Sequence, residues 1–113
     1  MQPSMGSEDG APRGAAFSVV PNGRPGTFEL HGELDLGTIP VLEELVFDAL
    51  PDQRVVLDLR GLHFVDSSGL RGLLLLRRRV DEAGGLLVLR EPTPSVLRVL
   101  EVSGLDKVFS LEA

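Results

Sequence analysis

Two adjacent hydroxyls, Ser67 and Ser68, stand between an acid and a glycine in the stretch "HFVDSSGLRGLLLLRRRV", residues 63–80. A serine can serve there as a nucleophile, as the acceptor of a modifying group, or as the cap of a helix. Nucleophilic work needs a base within hydrogen-bond reach and a third group to orient that base. The two histidines, His31 and His63, both fall in or beside predicted strands and read as residues satisfied locally. "VDSSG" is not the G-x-S-x-G elbow either, because Val65 and Asp66 occupy the wrong places. The chain has no H-E-x-x-H, no paired-histidine metal spacing and no glycine-rich phosphate loop ending in Lys-Ser or Lys-Thr. A self-contained enzyme is therefore not expected, nor a metal or cofactor.

Capping explains Asp66-Ser67-Ser68-Gly69 from local grammar alone, since Asp and Ser oxygens accept from first-turn N–H groups that lack helical partners. The position has a second property. A hydroxyl where a strand hands over to a helix is exposed, at the end where α/β folds usually place binding surfaces. Phosphorylation there adds about −1.5 to −2 of charge at the helix end that tolerates an anion. The surface changes sign while the domain stays folded.

The elements that position these residues follow from periodicity and punctuation. "AAFSVV" (15–20) reads as a strand, "PNGRPG" as a turn, and "TFELHGEL" (27–34) as a second strand alternating at a period of two, together a hairpin. Thr38 is placed to cap a helix with Pro40 in its first turn. Ile39, Leu42, Leu45, Val46 and Ala49 share one face of that helix, and Pro51 stops it. "RVVLDL" (54–59) has the pattern of a strand covered on both faces. A second helix begins around Ser67 or Ser68 and ends at "AGG" (83–85). "LLVLR" (86–90) is another buried strand. Thr93 and Pro94 open a third helix through about Val102, and "SGLDKVFSL" (103–111) turns into a short apolar piece suited to an edge strand. The order is β-β-α-β-α-β-α with a possible last strand, an α/β sheet with parallel neighbours.

At 113 residues the chain has the size of one domain, and its net charge of −6 argues against a nucleic-acid binder. It lacks cysteine, which suits a cytoplasmic protein. No stretch reaches the ~18 apolar residues that crossing a bilayer takes; "LLLL" (73–76) is stopped by Arg77, Arg78 and Arg79. Those arginines fan around the helix axis, so they read as a solvated face and not as an anion site. The Gly-, Pro- and Ser-rich residues 1–14 read as a flexible extension ahead of a domain spanning 15–113.

"LHGELD" (30–35), "VVLDLRGLHFVDSSGLRGLL" (55–74) and "VSGLDKVF" (102–109) together resemble the STAS domain of bacterial anti-sigma factor antagonists, from about Phe17 to Phe109. The resemblance implies a mixed sheet of four to five strands with helices packed mainly on one face. It further implies that Ser67 is phosphorylated by the partner, an anti-sigma factor that is also a serine kinase and itself binds the ATP. In that family the unphosphorylated antagonist binds the anti-sigma factor and frees the sigma factor, and a metal-dependent serine phosphatase reverses the modification. Asp35 would lie near the phosphoserine loop and help form the partner surface. Asp66 would shape the loop and Gly69 would leave room for a close approach, so that Asp35, Asp66, Ser67, Ser68 and Gly69 form the expected partner surface; Ser68, a helix-entry serine, is expected to cap backbone N–H groups and not to accept phosphate. "LGTIP" (36–40) departs from the regular helix start of many relatives and is expected to shift the first helix by a residue or two. STAS-like domains also serve, unphosphorylated, as accessory subunits of membrane lipid transporters or as scaffold parts of signalling assemblies. The third reading, a small hydrolase using Ser67, lacks a base.

Overall fold

A computed structural model describes residues 17–47 and 54–113. Expectations for residues 1–16, and those for Asp48, Ala49 and Pro51 at the end of the first helix, lie outside the described residues, as do the side chains of Leu45 and Val46. Strand β1 (Ser18–Pro21) and strand β2 (Thr27–Leu34) pair antiparallel as the expected hairpin. Helix α1 (Ile39–Phe47) leads to strand β3 (Arg54–Val65), helix α2 (Ser67–Glu82) to strand β4 (Leu86–Arg90), and helix α3 (Pro94–Ser103) to a 3-10 turn (Leu105–Lys107) and strand β5 (Ser110–Glu112). The five strands lie in sequence order, and β2 through β5 are all parallel.

One core holds the molecule together. Leu30 and Leu34 of β2, Val55, Leu57 and Leu59 of β3, and Leu87 and Leu89 of β4 meet Leu42 of α1, Leu70, Leu73, Leu76 and Val80 of α2, and Val96 and Leu100 of α3. All three helices thus share one core with the same set of strand residues, as expected. The α2 residues recur at intervals of three and four, the apolar stripe of a helix lying on a sheet. Each such side chain contributes about 1.5–3 kcal/mol by leaving water.

Strand β3 is longer than the run "RVVLDL" suggested. Val55 through Leu59 are all buried, but the inward positions after them are Leu62 and Val65, three residues apart. The register against β2 gives the cause. Glu29 pairs with Asp58 but His31 with Gly61, and Gly32 pairs with Leu62 but Glu33 with Phe64. Each shift inserts one extra residue into β3, and each returns an apolar side chain to the core. The two bulges carry the strand on to Val65 and deliver Asp66 and Ser67 at its carboxyl end.

The helix starts differ in detail from expectation. Thr93 caps α3 as foreseen, accepting from the Val96 N–H at 3.4 Å, with Pro94 in the first turn. At α1 the Thr38 hydroxyl faces backward, accepting from the Asp35 N–H at 2.8 Å and donating to the Glu33 carbonyl at 2.9 Å. The Asp35 backbone carbonyl takes the N–H groups of Thr38 and Ile39 instead. At the far end of α2, Gly84 adopts φ +85° behind Ala83, the left-handed exit anticipated from "AGG".

Candidate functional site

The site forms where β2 and β3 end side by side. Leu34 pairs with Val65, and the Leu34 carbonyl accepts the Asp66 N–H at 3.3 Å. Asp35 and Asp66 therefore leave the sheet from adjacent parallel strands, each at the start of a turn into a helix. The Asp35 carboxylate folds back on its own turn, accepting from the N–H groups of Gly37 at 3.0 Å and Thr38 at 3.1 Å. That arrangement fixes the loop "LGT" in front of α1.

Asp66 is the cap of α2. Its backbone is extended, and one carboxylate oxygen accepts from the Gly69 N–H at 2.8 Å. The reading of Ser68 as a cap is corrected here. Both serines lie within the first helical turn, and the acid one residue earlier takes the orphan N–H because Asp is at least as good a cap as Ser. Capping by Asp66 leaves both hydroxyls without a hydrogen-bonded partner among the described residues. Ser67 is exposed and Ser68 half-buried.

Gly69 is buried against the end of β2. A Cβ there would run into the Leu34 carbonyl oxygen and a methyl of Val65, so glycine lets the first turn of α2 press onto the neighbouring strand. Gly72, one turn on, does the same for α1, since a Cβ would meet the Ile39 side chain. The two helices approach closely enough to form an open groove of about 270 Å³, lined by Leu36, Ile39, Ser67, Ser68, Arg71, Gly72 and Leu75. Two apolar members are held in solvent, Leu36 at 75% and Leu75 at 46% exposure. Sequence reasoning found the hydroxyls and the acids but missed Leu36, Ile39, Arg71 and Leu75. The available signal was the Gly69–Gly72 pair, three apart on one helix face, which marks where another backbone or side chain comes close.

The histidines stay apart from this groove's lining. His31 reaches Glu29 at 3.2 Å, and His63 is exposed in β3 while its carbonyl accepts from the Ser95 hydroxyl at 3.2 Å. Neither is hydrogen-bonded to Ser67. Among the described residues no three His, Cys, Asp or Glu side chains converge. No helix among them is long and apolar enough to cross a membrane. Arg77 and Arg78 of α2 are spent on Asp81 at 3.8 Å and Glu82 at 3.5 Å.

Known proteins share the sequence pattern and the fold of this chain. The family described as "Mlab, STAS domain" matches residues 17–112. BtrV of Bordetella bronchiseptica is 43% identical over 58 residues, which cover 51% of this chain and 50% of that protein. The anti-sigma F factor antagonist of Paenibacillus polymyxa is 33% identical over 85 residues, covering 73% of each chain. Among solved structures, that of the anti-sigma factor antagonist SpoIIAA in its unphosphorylated form superimposes with a TM-score of 0.68 at 25% identity, over 87% of this chain and 88% of that one.

Proposed function

The chain belongs to the STAS domain family, and on that premise we propose that it is an anti-sigma factor antagonist switched by phosphorylation of Ser67. The observation that carries this reading is the exposed Ser67 hydroxyl, without a hydrogen-bonded partner among the described residues, in the lining of a groove with solvent-held leucines. The unphosphorylated groove takes up the cognate anti-sigma factor and so frees the sigma factor. Leu36, Ile39 and Leu75 supply apolar area, and Ser67, Ser68 and the turn formed by Asp35, Asp66 and Gly69 supply the shape around it. Residues 1–14 are an extension outside this domain, and the protein works in the cytoplasm, where its nucleotide-bearing partner is.

The chain acts as substrate and not as enzyme in the modification. The Ser67 oxygen attacks the γ-phosphorus of ATP held by the partner kinase. A new O–P bond forms, the bond to the β,γ-bridging oxygen breaks, ADP leaves, and the hydroxyl proton passes to a base of the kinase. A metal-dependent phosphatase returns the phosphate to water. The phosphate then faces a partner surface shaped for a neutral hydroxyl, and burying an unpaired charge costs several kcal/mol. A loss of ~3 kcal/mol weakens binding more than a hundredfold.

Incubation with the cognate anti-sigma factor and ATP, followed by intact mass, tests the reading. One added phosphate on the wild type and none on Ser67→Ala is expected. The exposed Leu36 and Leu75 also suit a permanent apolar contact, as in an accessory subunit of a membrane lipid transporter or a signalling scaffold. An unmodified wild type would replace the switch by that second reading.

A further inference from the structure

Helix α2 treats its arginines unequally. Arg77 and Arg78 each find an acid one turn ahead, Asp81 and Glu82. Arg71 has no acid at that spacing: the residue one turn ahead is Leu75 and the residue one turn back is Ser67. Among the described residues no ion pair or side-chain hydrogen bond engages its guanidinium. Yet it lines the same groove as Ser67.

We propose that Arg71 is the intramolecular partner of a phosphate on Ser67, closing an ion pair across one turn of α2 and holding the modified state. This rests on the reading of Ser67 as the phosphorylated residue. Side chains four apart on a helix are neighbours, and the order with the anion nearer the N-terminus is the favourable one. The planar guanidinium fork matches the oxygens of a phosphate in a way a single ammonium does not. At the paired strand ends the charged residues are the acids Glu33, Asp35 and Asp66, with the titratable His63 on β3. These acids disfavour a second negative charge, and Arg71 supplies an attraction. Modification then changes the groove twice, placing an anion at its mouth and withdrawing a cation from its wall.

The test introduces phosphoserine at position 67 during synthesis with an expanded genetic code, so that no kinase is needed. The phosphorus NMR signal is titrated in the otherwise wild-type protein, in Arg71→Gln and in Arg71→Lys. The second phosphate pKa, ordinarily about 6, is expected about 0.3 pH units or more lower with Arg71 than with Gln, with Lys between. Unmodified Arg71→Gln and Arg71→Lys are expected to melt as the wild type does, because the side chain is exposed and unpaired among the described residues. Titrations that coincide within about 0.1 pH unit in all three proteins overturn the proposal. If the pair appears but the cognate kinase leaves Ser67 unmodified, the pair stands and the switch falls. If the kinase modifies Ser67 and the titrations coincide, the switch stands and the pair falls.

Discussion

Strand β3 carries an acid before its first bulge and another just past its end, and the two are used in opposite ways. Asp58 is 3% exposed, and its carboxylate accepts from the Arg60 backbone N–H at 3.0 Å, from Arg60 Nε at 3.1 Å and from Arg60 Nη2 at 2.8 Å. The depression around it, lined by Glu29, His31, Arg60 and Gly61, holds polar groups that are paired with one another. Asp66 gives an oxygen to Gly69 and stands beside a hydroxyl that nothing in the described chain engages. Around it leucines are exposed, and Arg71 is unpaired among the described residues. Where a protein has finished its own hydrogen bonding, the group serves the fold. Where it leaves donors, acceptors and apolar surface open together, the group is available to another molecule.

Substitutions at the two acids separate these roles. Asp58→Ala is expected to destabilise the domain by about 1.5–3 kcal/mol, the range for hydrogen bonds to a charged group, while affinity for the proposed anti-sigma factor partner is expected to stay unchanged. Chemical denaturation and a binding titration on the same sample check this. Burial disfavours the charge of Asp58, but the hydrogen bonds and charge of Arg60, helped by Arg90, hold its carboxyl below the ordinary value. A depressed folded-state pKa contributes stability above the unfolded value, near 3.9, and that contribution disappears as pH falls through the folded value. Asp58→Ala is therefore expected to lose less stability than the wild type on acidification below about pH 4.

Asp66→Ala removes a cap and is expected to cost about 1 kcal/mol. It also loosens the turn that presents Ser67, so on the proposed switch phosphorylation is expected to slow, which a kinase time course reads. The smallest effect on stability belongs to Leu36→Ser, within about 0.5 kcal/mol because the side chain is already in water. Its binding to the anti-sigma factor is expected to weaken severalfold. A Leu36→Ser protein that binds as tightly as the wild type would remove this part of the groove from the interface.

The contrast between the two corners was legible in the sequence only in part. The hairpin, the buried run 54–59 and the Thr93–Pro94 start could be read because alternation and capping are local properties. The rest of β3 could not: apolar residues at 59, 62 and 65 fit neither a period of two nor an extended helix, and their spacing makes sense only once two bulges are known. Local grammar offered several possible caps within "DSS" and could not tell which oxygen meets the Gly69 N–H. Thr38 was misread for a similar reason, since its hydroxyl is claimed by the backbone of Glu33 and Asp35. The groove itself is tertiary. Leu36, Ile39, Arg71 and Leu75 come together because Gly69 and Gly72 admit their neighbours, a fact about packing between segments about thirty residues apart in sequence.

Calorimetric titration of the cognate anti-sigma factor with the unmodified protein and with the protein carrying phosphate on Ser67 tests the central claim most directly, provided both forms melt as folded domains. The account predicts tight binding by the first and at least a hundredfold weaker binding by the second, a difference of about 3 kcal/mol. Equal affinities would contradict it.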